Sequence, residues 1–482
     1  MILDATATDR LETRYELVVI GSGFGSLFFV QRWLEKRPDS RVLVLEWGGH
    51  NDHAWQMEHD RTSPIRPGDT IDAPHPEKEW NFTIGLGGGT NCWYAQSPRL
   101  HPNDFRTKSL YGVGRDWPMS YDELEPFYGQ AERIMSISGP EDIAAVYPRS
   151  TPYPQPPHRM TSVDRVMKAA QPDRHFVIPT GRARLATEQR PACCASGRCY
   201  VCPADAKFTA LNGMRPVLDH PRATVALGCR VTAIETAGGV ATGVVFQNGG
   251  RERRVAADLV VLGANAIHSP HILLSSGIDH PMTGRGLHEQ LGFGVEVLLD
   301  GLDNFDGSTI TTGINLSLLD GPFRKEHGGA LVYFENRWTY GLRKEYGRWR
   351  QTLPLVVVVE DLPQDGNRVL PDPGARARVE YSDAAGYAHR GVQAAIDKLP
   401  QVLAPLPVED IILHAMRRTE SHVQGTLRMG TDPAETVVDR HLVHHGVRNL
   451  IAVGTAVFPT SACANPSLTA AALSLWAAEH AA

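Results

Sequence analysis

A glycine-rich turn between two apolar segments near the N-terminus constrains the fold of this chain more than any other feature. Residues 15–48 read YELVVIGSGFGSLFFVQRWLEKRPDSRVLVLEWG. The uninterrupted apolar run 17–20 is typical of a parallel strand that is buried on both faces. We predict a helix over 26–36 and a second strand over 41–45. This order of strand, turn, helix and strand predicts a nucleotide-binding unit in an α/β fold.

The glycines of this turn have the spacing of a dinucleotide-binding site. Gly21 permits a tight turn, and Gly23 lets the backbone approach a pyrophosphate at the N-terminus of the helix. Gly25 follows, and Ser26 occupies the position of the third motif glycine, where a small residue allows close helix packing. Glu46, at the end of the second strand, can accept hydrogen bonds from a ribose and would repel the 2′-phosphate of NADP. The alternative is a glycine turn without a ligand.

The size and charge of the chain exclude several classes of protein. Its 482 residues are too many for one simple core, and its 42% apolar content is ordinary for a soluble protein. The net charge of −6 and the lack of a Lys/Arg run disfavour nucleic-acid partners. No run reaches the ~18 apolar residues of a spanning helix, so we predict no membrane span. No signal peptide is recognisable, so the default location is the cytoplasm, although export with a partner subunit stays open.

The C-terminal segment contains two candidate catalytic residues. Asn465 precedes Pro466, which is favoured at the first position of a helix, so Asn465 is an N-cap candidate. The positive end of that helix would stabilise negative charge nearby. His422 lies in a glycine-containing loop and can accept a hydroxyl proton near neutral pH. A single histidine is more often structural, and Asn before Pro is usually only a cap, so neither residue alone establishes a mechanism.

The chain resembles the glucose–methanol–choline (GMC) oxidoreductases over nearly its whole length, because seven of its motifs occur in the order and spacing of that family. They are VVIGSGFGS, GLGGGTNCWY, WPMSYDELEPFY, GANAIHSPHILLSSGI, HVQGTLRMG, VVD and GTAVFPTSACANPSLTAAAL. The resemblance implies an FAD cofactor and oxidation of an alcohol. It also implies that His422 is the catalytic histidine and Asn465 its partner.

The resemblance extends the set of predicted FAD-binding residues beyond the first turn. The added residues are Gly88, Gly89, Asn91, Cys92, Val231, Ala264, Gly454 and Pro466. In pyranose oxidases, a subgroup of the family, the position of Cys92 holds a histidine that bonds covalently to the flavin. A thioether at Cys92 is one alternative. We favour an unreacted thiol beside non-covalent FAD, because free cysteine usually behaves as a small hydrophobic residue.

The predicted fold class is α/β, with a Rossmann-like FAD-binding domain of the GMC type and a mostly antiparallel-sheet substrate domain. The FAD-binding domain is expected in three segments, 14–110, 191–290 and 416–482. Residues 111–190 are expected to supply a lid and part of the substrate domain, and 291–415 the rest of it. Within this last stretch and just beyond it, we predict helices near 388–399 and 407–418.

Four of the seven cysteines lie within ten residues, in the run CCASGRCYVC. A disulfide between Cys193 and Cys194 would be strained, and the expected compartment is reducing. Zinc prefers two separated Cys-x2-Cys arms, and only Cys199 and Cys202 form one. The run resembles one that holds a three-iron cluster in bacterial FAD sugar dehydrogenases, apart from a shorter last spacing. An iron–sulfur cluster on these four cysteines and four packed thiols therefore both stay open.

The resemblance and the candidate residues together favour FAD-dependent oxidation of an alcohol to a ketone or aldehyde, with hydride transfer to flavin N5 and His422 as the base. Similarity to pyranose-type oxidases and bacterial sugar dehydrogenases favours a sugar, aminosugar or cyclitol. The electron acceptor stays open between oxygen, a quinone and a partner protein. Two alternatives are a flavoprotein subunit that passes electrons through an iron–sulfur cluster, and a GMC-like lyase without redox chemistry.

Overall fold

The computed structural model describes residues 1–75, 78–337, 343, 345–372 and 376–481, and these form three β-sheets with helices packed against them. The strands are β1 (Ile2–Leu3), β2 (Arg14–Ile20), β3 (Val42–Leu45), β4 (Ile71–Asp72), β5 (His175–Val177), β6 (Ala223–Ala226), β7 (Arg230–Ala237), β8 (Val240–Asn248), β9 (Arg251–Leu262), β10 (Leu291–Leu299), β11 (Thr311–Asn315), β12 (Ala330–Glu335), β13 (Thr352–Val359), β14 (Arg368–Leu370), β15 (Ala377–Glu380), β16 (Val408–Met416) and β17 (Leu450–Ala452). The helices are α1 (Phe24–Lys36), α2 (His53–His59), α3 (Thr107–Tyr111), α4 (Tyr121–Met135), α5 (Ser162–Ala170), α6 (Ala210–Gly213), α7 (Arg215–Leu218), α8 (Asn265–Ser275), α9 (Gly386–Val402) and α10 (Ser467–Ala481).

The largest sheet has eight strands in the order β1-β6-β3-β2-β9-β8-β7, with β17 paired to β9. Strand β2 runs parallel to both β3 and β9. Leu17, Val18 and Val19 are completely buried in β2, as its uninterrupted apolar sequence predicts. Helix α1 leaves the end of β2 and packs against α10, so the first and last βα units share one layer.

The second sheet has six strands in the order β16-β10-β13-β12-β11-β5, and every neighbouring pair is antiparallel. Helix α9 packs across β10, β12 and β13 and covers one face of the sheet. Its core includes Val295 and Val297 of β10 and Leu355 and Val357 of β13. The predicted fold class, an α/β nucleotide-binding domain with a mostly antiparallel substrate domain, is confirmed.

The predicted helix over 407–418 is wrong, because the chain forms strand β16 there. The run Ile411, Ile412, Leu413 fits either element, and apolar periodicity alone does not separate them. Pairing with β10 decides the outcome: Ile411 lies opposite Val297, and Leu413 lies opposite Val295. The helix predicted over 388–399 is present as α9.

The strands of the two large sheets can be compared with the segments expected for the FAD-binding and substrate domains. Strand β5 joins β11 at the edge of the six-stranded sheet, so residues 111–190 contribute a strand to the substrate side. Strand β1 pairs with β6, which places residues 2–3 in the nucleotide-binding sheet, ahead of the expected start at 14. A third sheet of β14, β15 and β4 joins the loop after α2 to the hairpin that precedes α9. In the described parts of the chain, no helix has the length and apolar character needed to cross a bilayer.

Candidate active site

A cavity of about 1370 Å³ lies between the glycine-rich end of the eight-stranded sheet and one face of the six-stranded sheet. Both candidate catalytic residues, His422 and Asn465, line it. Most of the predicted FAD-binding residues line the same cavity: Gly21, Gly23, Gly25, Glu46, Gly88, Gly89, Cys92, Val231, Ala264, Gly454 and Pro466. The structure therefore brings together segments that are more than 400 residues apart in the sequence.

The first glycine turn has the shape that a pyrophosphate site requires. Gly21 has a φ of +90°, and a Cβ there would lie 2.6 Å from the carbonyl oxygen of Gly263. Gly25 lets α1 approach the next wall of the cavity, because a Cβ there would lie 2.7 Å from the backbone nitrogen of Gly454. No side chain caps the N-terminus of α1, so its first N–H groups are free for an anion. These features fit FAD.

Glu46 supports the glycine turn. Its Oε2 accepts hydrogen bonds from Ser22 N at 3.1 Å and Ser22 Oγ at 2.7 Å, and its Oε1 accepts from Gly48 N at 2.9 Å. Burial raises the pKa of this carboxyl, and these hydrogen bonds oppose the rise. Each carboxylate oxygen has a further lone pair, so binding of a ribose by Glu46 stays a prediction.

Two predicted FAD-binding residues do not line the cavity. Ser26 is completely buried behind the turn, where its Oγ donates to the carbonyl oxygen of Ile20 at 3.5 Å. Asn91 is also buried, and its Nδ2 donates to the carbonyl oxygen of Leu86 at 2.9 Å. Both side chains are used to hold the cavity walls in shape, and neither faces the space where a ligand would lie.

Cys92 lines the cavity with a protonated thiol. Its Sγ donates to the carbonyl oxygen of Gly89 at 3.6 Å. Burial raises the pKa of the thiol, while the charge of Lys207 and a hydrogen bond with Thr83 oppose the rise. Because the thiolate is the nucleophilic form of cysteine, this environment does not activate Cys92.

His422 and Asn465 form a pair at the wall of the cavity. Asn465 Nδ2 lies 3.3 Å from His422 Nε2. Burial, followed by the positive charge of Arg417, lowers the pKa of His422 to about 3. The imidazole is therefore neutral at ordinary pH and can accept a proton.

Gln290 fixes the tautomer of His422. Its Nε2 donates to the carbonyl oxygens of Ala462 at 2.6 Å and Ala464 at 2.8 Å, two groups that can only accept. The amide oxygen of Gln290 therefore faces His422 Nδ1, with which it forms a hydrogen bond. It follows that Nδ1 carries the hydrogen and that Nε2 presents a lone pair.

Tyr333, on β12, fixes the orientation of Asn465. Its hydroxyl donates to Asn465 Oδ1 at 2.8 Å, so the amide nitrogen of Asn465 faces His422 Nε2. A hydroxyl group within reach of both nitrogens would donate to His422 and accept from Asn465. Sequence analysis missed Tyr333 and Gln290, because no local pattern distinguishes either residue from its neighbours in the chain.

The four clustered cysteines do not form a metal site in this structure. Cys199 and Cys202 are buried, Cys193 is half-buried beside Thr309, and Cys194 is exposed. In the parts of the chain that the structure describes, which include all four, no three His, Cys, Asp or Glu side chains are placed to bind one metal ion. Cys193 and Cys202 lie close enough to Cys199 to affect the pKa of its thiol, but the predicted cluster ligands are not placed to bind one metal ion.

The buried side chain of Lys207 holds the cysteine run against the cavity wall. Its Nζ donates to four carbonyl oxygens, at distances of 2.7 to 2.9 Å, which belong to Asn91, Trp93, Cys199 and Tyr200. Burial lowers the pKa of Lys207 to about 8. The run therefore lies next to the segment that contains Cys92.

Two family models match the chain. Residues 116–292 match the N-terminal model of the GMC oxidoreductases, and residues 375–474 match the C-terminal model. Together they cover more than half of the 482 residues.

Two characterised relatives are similar along almost their whole length. The chain is 28% identical to the fructose dehydrogenase large subunit of Gluconobacter japonicus, over 96% of this chain and 97% of that protein. It is 27% identical to the 6'''-hydroxyparomomycin C oxidase of Streptomyces lividus, over 97% of this chain and 90% of that protein.

The fold is shared with solved structures. Pyridoxine 4-oxidase from Mesorbium loti superposes with a TM-score of 0.68 and covers 97% of this chain and 99% of its own, at 18% sequence identity. At that identity the similarity shows the fold alone.

Proposed function

Because the chain belongs to the GMC oxidoreductase family and is an FAD-dependent alcohol oxidoreductase, we propose that its substrate is a sugar, an aminosugar or a cyclitol. Two relatives that match over 90% or more of their length are named for the oxidation of fructose and of 6'''-hydroxyparomomycin C. The observation that carries the proposal is the pair of His422 Nε2 and Asn465 Nδ2, 3.3 Å apart on the cavity wall.

The two side chains of this pair have different roles in alcohol oxidation: His422 accepts a proton and Asn465 donates a hydrogen bond. The substrate hydroxyl donates to His422 Nε2, which takes its proton as the carbonyl group forms. Asn465 Nδ2 donates a hydrogen bond to the substrate oxygen and holds it beside His422. The residues at the glycine-rich end of the cavity would hold FAD, which would supply the acceptor for the hydride and its two electrons from the substrate carbon, while the hydroxyl proton goes to His422. Gln290 and Tyr333 hold the pair in the required orientation.

The binding of FAD itself is assigned to the residues that line the glycine-rich end of the cavity. Gly21, Gly23 and Gly25 allow close approach at the N-terminus of α1, and Glu46 accepts from the ribose. Gly88, Gly89 and Gly454 form the neighbouring walls. A neutral Cys92 thiol favours non-covalent FAD.

Replacement of His422 tests the mechanism. In His422→Ala, we expect FAD to stay bound and flavin reduction by a substrate alcohol, measured anaerobically, to slow by roughly 100-fold or more, the scale of general-base catalysis. His389→Ala, which changes an exposed histidine of α9, is the matched control and should leave the rate unchanged. Near-normal reduction in His422→Ala would remove His422 from the mechanism, and a flavin that no alcohol bleaches would favour a lyase.

A second candidate function is that of a flavoprotein subunit that passes electrons to a partner protein. The similarity to a protein named as a large subunit favours it. The cysteine positions do not fit a cluster in this structure, so no electron-transfer step is derived through one. Anaerobically purified protein with one or more iron atoms and acid-labile sulfide per chain would support the cluster, and less than one iron would leave four packed thiols.

A further inference from the structure

The charged side chains near the catalytic pair are arranged as ion pairs that line the cavity. Three carboxylates line this part, and each lies beside an arginine that also lines it. The pairs are Glu335–Arg337 at 2.5 Å, Glu420–Arg417 at 3.2 Å and Glu79–Arg418 at 3.5 Å. Glu335 is only 2% exposed, whereas the pair of Glu79 and Arg418 lies at the exposed rim.

Above pH 7, near which burial raises the pKa of Glu420, this arrangement leaves the substrate end of the cavity, beside His422 and Asn465, without net charge among the residues that the structure describes. The remaining charged lining residues, Glu46, Arg230 and Asp372, lie at the other end, where Arg230 stacks over Trp47 and Asp372 acts on His271. An ammonium or carboxylate group that entered the substrate end would lose hydration without gaining an unpaired counter-charge. The cavity therefore disfavours ionic substrates.

Glu335 lies on β12, two residues after Tyr333, which contacts Asn465 of the catalytic pair. Tyr333 and Glu335 are two residues apart, so their side chains share the face of the strand that lines the cavity. Two residues of a strand span about 7 Å. The hydroxyl of Tyr333 donates to Asn465. A substrate whose reacting hydroxyl lies at His422 and Asn465 would therefore have its opposite end near Glu335.

A chain of hydrogen bonds orients the polar groups around Glu335. Gln96 Nε2 donates to Thr311 Oγ1 at 3.1 Å, and Thr311 Oγ1 donates to Glu335 Oε1 at 2.8 Å. Since Nε2 faces Thr311, the Oε1 of Gln96 is left as an acceptor. Arg337 Nε lies 2.5 Å from Glu335 Oε2, an ion contact without hydrogen-bond geometry, and the guanidinium lies near the ring of Tyr94. The guanidinium supplies N–H donors beside the carboxylate. Donors and acceptors therefore lie side by side, the combination that a hydroxyl group satisfies.

The neighbouring part of the same sheet is apolar. Val356 and Val358 of β13 line the cavity beside β12, and Gly294 of β10 leaves space next to them. A sugar ring has hydroxyl groups at its edge and C–H groups on its faces, so it can contact both surfaces at once. This division argues against a purely apolar alcohol.

We propose that this cavity selects a neutral polyhydroxy compound, a simple sugar or cyclitol, and that Glu335, Arg337 and Gln96 bind a hydroxyl group remote from the one that is oxidised. The inference rests on the proposed function and narrows it, because it excludes aminosugars and sugar acids as preferred substrates. The ion pair of Glu335 and Arg337 is the element that determines this specificity.

Two opposite substitutions test the role of the ion pair. The holoenzyme is mixed anaerobically with glucose, fructose, myo-inositol, glucosamine or glucuronate, and the second-order rate constant of flavin reduction is measured for each. In the parent, we expect the best neutral compound to exceed both charged compounds by at least tenfold. Arg337→Gln leaves the Glu335 carboxylate unpaired and should raise the preference for glucosamine over glucose by tenfold or more. Glu335→Gln leaves the guanidinium unpaired and should raise the preference for glucuronate instead.

A control with the same change of charge as Glu335→Gln separates this effect from general damage. Glu409→Gln removes an ion-pair partner of Arg343 and Arg348 outside the cavity, so all preferences should stay as in the parent. FAD content and the thermal unfolding midpoint report whether each variant folds. If Glu335→Gln does not fold, Gln96→Leu keeps every charge and should weaken the binding of the neutral sugar with little change in the limiting reduction rate.

The outcomes distinguish this inference from the proposed function. If a sugar reduces the flavin but the two substitutions change all preferences equally, or not at all, the ion pair does not contact the substrate and the inference fails alone. A parent enzyme that prefers glucosamine or glucuronate would also overturn it. If none of the five compounds and no other sugar or cyclitol reduces the flavin, the proposed substrate class fails as well.

Discussion

At the scale of single residues, the catalytic histidine depends on its partners for its protonation state. Burial keeps His422 neutral, with a pKa lowered to about 3, and Gln290 keeps the hydrogen on Nδ1. Neither effect comes from residues next to His422 in the sequence. The second hydrogen bond, from Tyr333 to Asn465, similarly crosses from the substrate sheet to the last helix. The reactivity of the pair is therefore a property of the assembled fold.

A negative charge at Gln290 should move the pH dependence of the reaction. In Gln290→Glu, a carboxylate beside Nδ1–H would stabilise the imidazolium. An adjacent opposite charge of this kind should raise the pKa of His422 by roughly one to three units. Because the reaction needs neutral His422, the rate should begin to fall at a higher pH than in the parent. The measurement is the rate of anaerobic flavin reduction between pH 4 and 8.

Gln290→Leu is the matched comparison for this prediction. It removes the acceptor at Nδ1 without adding charge, so the tautomer is no longer fixed and the rate should drop by roughly 10- to 100-fold without a shift of the acid limb. Identical pH profiles for Gln290→Glu and Gln290→Leu would show that Gln290 does not act through Nδ1.

The catalytic pair is predicted from the resemblance of its motifs to those of the GMC family. The local patterns alone do not suffice, because Asn465 before proline reads as a helix cap and a single histidine such as His422 is more often structural. Gln290 lacks even such a pattern, because its role depends on three partners between 132 and 174 residues away. The positions of Ser26 and Asn91 behind the cavity walls likewise follow from packing, which their motifs do not encode.

At the scale of secondary-structure elements, the contrast between α1 and β16 shows what local sequence determines. The turn before α1 has glycines whose backbone conformation few other residues tolerate. Its sequence therefore predicts both the helix that follows and the dinucleotide-binding turn. The segment of β16 contains Ile411 and Ile412 and has no periodic polar face. Its strand conformation is determined by antiparallel pairing with β10. An edge strand of this kind is predicted from its partner and not from its own sequence.

Gly25→Ala should destabilise the enzyme although alanine favours a helix. By propensity alone, the change within α1 would stabilise by about 1 kcal/mol. The new Cβ would lie 2.7 Å from Gly454 N and 3.0 Å from Gly454 Cα, and backbone atoms cannot move aside cheaply. We expect a lower thermal unfolding midpoint and reduced FAD content after purification. The two readouts together report both the fold and the cavity wall.

Gly386→Ala, at the start of α9, is the control for this prediction. Its Cβ would meet only the flexible end of Arg390 at 3.4 Å, so stability and FAD content should be unchanged or slightly higher. If Gly25→Ala behaves like Gly386→Ala, the close approach of α1 to Gly454 does not limit the structure.

At the scale of the whole molecule, a buried ion network joins the two large parts of the fold. Arg324 lies 2.9 Å from Asp104, in the segment expected to bind FAD, and 2.7 Å from Glu360, which follows β13 of the substrate sheet. These three side chains are almost completely buried. Arg324 also lies 3.1 Å from Asp320. The network therefore links the turn Pro102–Phe105, in the segment expected to bind FAD, to the end of β13 in the six-stranded sheet.

Arg324→Met should destabilise the protein by roughly 3 to 5 kcal/mol, because it leaves buried carboxylates without their counter-charge. Burial already raises the pKa of Glu360, and Arg324 opposes that rise, so its removal raises the pKa further. The folded variant then holds protons that the unfolded chain releases above pH ~4.3, so its stability falls as pH rises. We therefore expect the loss relative to the parent, measured by urea unfolding, to be larger at pH 8 than at pH 5.5. Arg254→Met removes a cation that pairs with the exposed Glu235 and Glu252, and it should change the stability little at either pH, because solvent screens exposed ion pairs. An equal loss at both pH values in Arg324→Met would show that the carboxylates gain another partner when the arginine is removed.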